Sequence, residues 1–71
     1  MITIAAIGAE NSVYDVEPEE GMTVADALNS AGFDWGGYDL KLNGEPVADE
    51  EVVQVRNGDT IVAAKKVKGA C

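Results

Sequence analysis

The sequence predicts an α+β fold in which a mixed sheet packs against one helix, and three observations predict it. Alternating apolar runs open and close the chain, a single segment between them carries helical spacing, and glycine-containing turns separate the extended runs. The order that results is strand, strand, helix, strand, strand, strand.

Ile2-Thr3-Ile4-Ala5-Ala6-Ile7 alternates in polarity, is rich in β-branched residues and meets Gly8 and Glu10-Asn11, so it reads as a strand and a turn. Ser12 to Glu17 sets Ser12, Tyr14 and Val16 on one face and Val13, Asp15 and Glu17 on the other, a strand with one wet face. The short connection makes the two a hairpin. Pro18 stops extended structure, and Glu19-Glu20-Gly21-Met22 carries the chain onward. From Thr23 to Gly32, apolar residues at 24, 27, 28 and 31 follow the i, i+3, i+4, i+7 rule. Thr23 is the expected N-cap, Asp26 complements the positive end of the dipole, and Gly32 supplies a left-handed residue after the last turn. Isolated helices generally need about 12–15 residues, so this shorter one must draw its stability from a sheet.

Phe33 to Gly37 is irregular, and Tyr38, Leu40 and Leu42 share one face of a third strand. Asn43-Gly44 is a strong hairpin signal because both residues tolerate positive φ. Glu45-Pro46-Val47 is then a brief return strand, with Pro46 suited to an edge, and 49–53 a loop or short helical turn. Arg56-Asn57-Gly58-Asp59 turns the chain into a last strand, 60–64. The expected core is Ile2, Ile4, Val16, Val24, Leu28, Leu40, Leu42 and Ile61. The chain divides into a folded domain, 1–64, and a flexible basic tail, 65–71, with no internal repeat or linker.

Composition narrows the function. With 71 residues the chain holds one domain, and its 46% hydrophobic and 25% charged residues are those of a globular protein. It has no histidine and one cysteine, which excludes an internal disulfide, a cysteine/histidine zinc site, a four-cysteine iron–sulfur cluster and histidine acid–base chemistry. The net charge of −8 disfavours nucleic acid and anionic membrane as partners and suits a basic or neutral protein. Residues 1–64 hold all 13 acids against Lys41 and Arg56, a net of −11, while Lys65, Lys66 and Lys68 make the tail basic. No leader-like or membrane-length apolar segment occurs, so a cytoplasmic location is expected.

The element order, together with Glu20-Gly21-Met22-Thr23-Val24-Ala25-Asp26-Ala27-Leu28, Ala31-Gly32, Leu42-Asn43-Gly44-Glu45-Pro46-Val47 and Asn57-Gly58-Asp59-Thr60-Ile61, resembles the β-grasp, ubiquitin-like family in its sulfur-carrier branch, the ThiS and MoaD type. The resemblance spans almost the whole chain. It implies a protein without an active site of its own, a substrate rather than an enzyme, binding no cofactor. An E1-like adenylating enzyme would spend ATP to activate its C-terminal carboxylate for thiocarboxylate formation or conjugation. The resemblance places that tail at Lys68, Gly69, Ala70 and Cys71. Family tails end in two glycines, whereas this one ends Gly69-Ala70-Cys71, and Gly36-Gly37 is internal. A non-covalent β-grasp interaction module without tail chemistry is the alternative.

The remaining candidates are surfaces. Thr3, Ala5, Val13, Lys41, Val62 and Ala64 fall on the sheet face opposite the helix, and Val13, Lys41, Val62 and Ala64 with Lys65 and Lys66 form the expected partner-binding surface. Three tail lysines suit either steering towards an acidic channel or the solubility of a strand end. Cys71 has no neighbouring residue arranged to hold a catalytic thiolate; a monomer that forms disulfide dimers through it in air is expected. Asp49-Glu50-Glu51 and the acids of 17–20 lack calcium-loop spacing and read as solvated faces, so no metal is expected. Phe33 and Tyr38 read as filling beneath the helix, with Trp35 over an edge.

Overall fold

The computed structural model describes residues 1–8 and 11–65. Five strands and one helix occur in the expected order: β1 (Ile2–Ile7), β2 (Ser12–Val16), α1 (Val24–Ser30), β3 (Tyr38–Leu42), β4 (Glu45–Pro46) and β5 (Thr60–Lys65). They form a small α+β fold with one mixed sheet of strand order β2-β1-β5-β3-β4. β1 and β5 run parallel in its centre, and the other neighbours are antiparallel.

Strand alternation decides the core. Ile2, Ile4 and Ala6 of β1, Val16 of β2, Leu40 of β3 and Ile61 and Ala63 of β5 are buried on the helix side. Val24, Ala27 and Leu28 of α1 meet them. Leu42, expected in the core, is only half-buried and packs against its margin, because it precedes the turn at the end of β3. Met22 and Val55 are buried in the core although the sequence reading did not place them there.

The helix is seven residues long, shorter than its apolar spacing suggests, because Ala31 is its C-cap and Gly32 follows at φ +73°. Thr23 caps it as expected and does more: its hydroxyl accepts from the Asp26 N–H while its own N–H donates to the Asp26 carboxylate, a reciprocal box. The 49–55 segment completes the N-terminal end. The N–H groups of Val24 and Ala25, both orphans in a first helical turn, donate to the carbonyls of Val53 and Glu50 at 2.9 and 2.8 Å. Val55 N–H returns to Met22 C=O at 2.9 Å, and Thr23 bridges Gln54. The 49–53 turn is thereby a clamp on the helix, with Asp49 closing it through the N–H groups of Glu51, Val52 and Val53.

The β3–β4 hairpin has the anticipated two-residue turn, with Asn43 at φ 52° and Gly44 at φ 87°. Only Lys41 and Leu42 pair with β4, so Val47 lies beyond the strand, joined to Leu40 C=O by its N–H. Pro46 occupies the sheet edge, where its missing N–H costs no ladder bond.

Leu28 is fully buried between the helix and the central strands. Leu28→Ala is expected to lower the unfolding free energy by about 2–5 kcal/mol, measured by chemical denaturation.

Candidate functional site

The face opposite the helix is built by register. Val13 pairs with Ala5, Ala5 with Val62 and Val62 with Lys41, so these four side chains form one row across β2, β1, β5 and β3. The next row joins Ile7 to Ala64 and Ala64 to Asp39. Val13 is 69% exposed and Ile7 51% exposed, while Ala5, Val62 and Ala64 are half-buried between them. The result is a contiguous apolar strip of small and branched residues, with Lys41 at one end.

Sequence reasoning found Val13, Lys41, Val62 and Ala64, and the structure brings all four together. It missed Ile7, whose odd position in β1 already put it beside Ala5; the following Gly8 obscured how far the strand extends. Lys65 departs from expectation twice. It is the last residue of β5 rather than the first of the tail, because it still pairs with Tyr38. It also lies on the helix side of the pleat, in phase with Ile61 and Ala63, and so does not join the strip. Lys66, Lys68, Gly69, Ala70 and Cys71 lie outside the described residues.

Gly8 explains how β5 closes on β1. It has φ +156°, and a Cβ placed there would stand 2.8 Å from Lys65 Cβ, closer than side chains approach. A hydrogen at this position lets the end of β5 lie against the end of β1, the point from which residues 66–71 continue.

The opposite end of β1 is fixed by the 56–59 turn. Asp59 receives the Arg56 N–H at 2.8 Å and the Asn43 amide at 3.0 Å, and its carbonyl accepts from Thr3 N–H. Asn43 also accepts from Thr60 N–H at 3.0 Å, so a turn residue chosen for its φ also ties β3 to β5. The Met1 amino group donates to Asn57. The Asn43 and Arg56 hydrogen bonds hold the Asp59 carboxyl below the usual aspartate range.

Two hollows flank the loop after the helix. The more open, about 520 Å³, lies along Asn29 and Gly32–Gly36. The second, about 470 Å³, runs beside β3 where β4 falls short, between Trp35 and Tyr38 on one side and Pro46, Val47 and Glu50 on the other. Trp35 Nε1–H donates to Glu50 Oε1 at 3.1 Å. A backbone hydrogen bond at Glu50, followed by this indole bond, holds the Glu50 carboxyl below its ordinary value. Phe33 packs on Tyr14 at 5.8 Å and edge-to-face on Tyr38 at 5.1 Å, the filling role the sequence suggested.

Among the described residues no cluster of acids or cysteine is arranged to hold a metal ion. No helix among them is long and apolar enough to cross a membrane. No family model matches the chain, and no solved structure matches it significantly.

Two variants test these junctions. Gly8→Ala is expected to destabilise the fold by about 1–3 kcal/mol and to shift the amide resonances of Lys65 and Tyr38 most, read from ¹⁵N spectra. Because the folded Asp59 carboxyl is depressed, its contribution is present above the ordinary aspartate range and is lost as pH falls through the folded-state value. Asp59→Asn should therefore lower the denaturation midpoint at neutral pH, and its difference from wild type should shrink towards zero in acid.

Proposed function

We propose that the chain is a β-grasp domain of the ubiquitin-like, sulfur-carrier kind that presents its C-terminal residues to an E1-like adenylating enzyme, docking through the open sheet face. The observation that carries this reading is positional. β5 is an inner strand, it contributes Val62 and Ala64 to the apolar strip, and the same strand leads into residues 66–71. A partner seated on Ile7, Val13, Val62 and Ala64 would be adjacent to the point where the tail begins.

The chemistry belongs to the partner. The terminal carboxylate attacks the α-phosphorus of ATP, the bond to the β-phosphate breaks, and pyrophosphate leaves with its electrons. The resulting acyl adenylate is then attacked at carbon by a sulfur nucleophile, which expels AMP and leaves a thiocarboxylate or a thioester. The chain's own contribution is to bind, to hold the tail root against Gly8, and to supply small residues at Gly69 and Ala70 that enter a narrow channel. A cytoplasmic setting, with Cys71 reduced and the protein monomeric, suits this role.

The second reading is a non-covalent interaction module, supported by the exposure of Val13 and Ile7 on the strip. It uses the same apolar strip and makes no use of the tail.

Incubation with ATP and candidate adenylating enzymes, followed by intact-mass measurement, should show an adenylate, a thiocarboxylate or a thioester. Unchanged mass with every such enzyme, combined with partner binding that survives deletion of residues 69–71, would select the module. Val13→Asp is expected to weaken docking under both readings while changing stability by about 1 kcal/mol or less, since Val13 is largely solvent-facing.

A further inference from the structure

The hollow beside β3 lies on the other edge of the sheet from Val13 and Ile7, and the reading above makes no use of it. Its parts are fixed from two directions. Glu50 is held by its backbone, whose carbonyl accepts from Ala25 in the first helical turn, and its carboxylate oxygen Oε1 accepts from the Trp35 indole. Trp35 in turn is held at its backbone, where its carbonyl accepts from Tyr38 N–H at 3.0 Å. An anionic oxygen pair and an aromatic wall therefore border about 470 Å³ of open groove without further rearrangement.

The short β4 is what opens it. Pairing to β4 covers Lys41 and Leu42, Val47 N–H still reaches Leu40 C=O, and the chain leaves β3 only after Val47 on its way to Glu50. The groove mixes apolar lining from Leu40, Pro46, Val47 and Ala48 with polar surface, and is anionic at Glu50 and Asp39 and aromatic at Trp35 and Tyr38. Among the described residues Lys41 is the one cationic side chain lining it.

We propose that this groove receives an arginine side chain from an extended basic segment of a partner protein, its guanidinium paired with the Glu50 carboxylate and its stem and plane resting against Trp35. Three observations favour that occupant. A guanidinium is planar and weakly hydrated, pairs with carboxylates through several N–H groups and rests on aromatic faces, the combination present here. The Glu50 carboxyl is held below its ordinary value by a backbone hydrogen bond and by the Trp35 indole, both of which favour its anionic form. Residues 1–65 carry −10, 13 acids against Lys41, Arg56 and Lys65, so a basic segment is drawn to them in preference to an acidic one. Lys41 sets the selectivity from the other side: it repels a second cation close to the first and so favours segments with isolated rather than adjacent basic residues.

Trp35 is the sole tryptophan and lines both this groove and the hollow along Asn29 and Gly32–Gly36, so its emission reports on the two together and the Glu50→Gln comparison assigns the response to the groove. The test titrates the full chain with an acetylated and amidated Gly-Arg-Gly peptide and with the same peptide carrying citrulline, which keeps the shape and loses the charge. The arginine peptide should give a saturable change in Trp35 emission and in the Trp35 indole ¹H–¹⁵N resonance, and the citrulline peptide should bind about tenfold more weakly or not at all. Glu50→Gln retains an acceptor for the indole and hence the local fold; it should reduce arginine binding by about the same factor, while Lys41→Ala should strengthen it. Equal responses to arginine and citrulline, a response that never saturates, or binding unchanged in Glu50→Gln would each overturn the proposal. None of these results depends on an adenylating enzyme, so failure here and failure of the tail chemistry are separate outcomes.

Discussion

Everything in this molecule depends on anchoring a helix too short to exist alone. Seven residues give two turns, well below the length at which an isolated helix persists in water. Two contacts compensate. Val24, Ala27 and Leu28 are covered completely by the central strands, and the backbone of residues 49–55 satisfies N–H groups that a first turn leaves open. A domain of this size buries only about 60% of its unfolded surface, so neither contact is dispensable. The irregular 47–55 stretch, which carries no helix or strand of its own, is in this sense as structural as any strand.

That dependence explains which parts of the fold were legible from the sequence. Local rules governed β1, β2, α1 and the Asn43-Gly44 turn, because alternation, helical spacing and positive-φ tolerance each act within a few residues, and they placed those elements within a residue or two. Met22 and Val55 were not legible as core because they belong to neither pattern: they are buried by the mutual backbone bonds of two loops, a relation between positions 22 and 55 that no local window contains. Leu42 failed for the complementary reason. Its period was right, but it stands at the strand's end, where the helix no longer covers it.

The candidate face followed the same division. Val13, Lys41, Val62 and Ala64 could be grouped because strand parity alone decides which side they take. Ile7 was lost at the strand boundary, and Lys65 was misplaced because its basic neighbours in sequence suggested a tail where sheet pairing in fact continues. The Trp35–Glu50 bond joins residues fifteen apart through loops on either side of β3, and only the folded arrangement reveals it. The acidity of the chain, by contrast, was fully readable, and the structure adds one place where it is absent: the row from Val13 through Ala5 to Val62 carries only neutral side chains.

The central position of β5 bears on synthesis. Its partners β1 and β3 have no direct pairing with each other, so a nascent chain that has not yet extruded Thr60–Lys65 can form only two separate ribbons, β1–β2 and β3–β4, with no layer for the helix to lie on. The strand that unites them joins residues nearly a whole chain apart, which makes consolidation late and cooperative rather than progressive. Premature termination before residue 60 would thus yield no partly working domain, only a fragment fit for proteolysis.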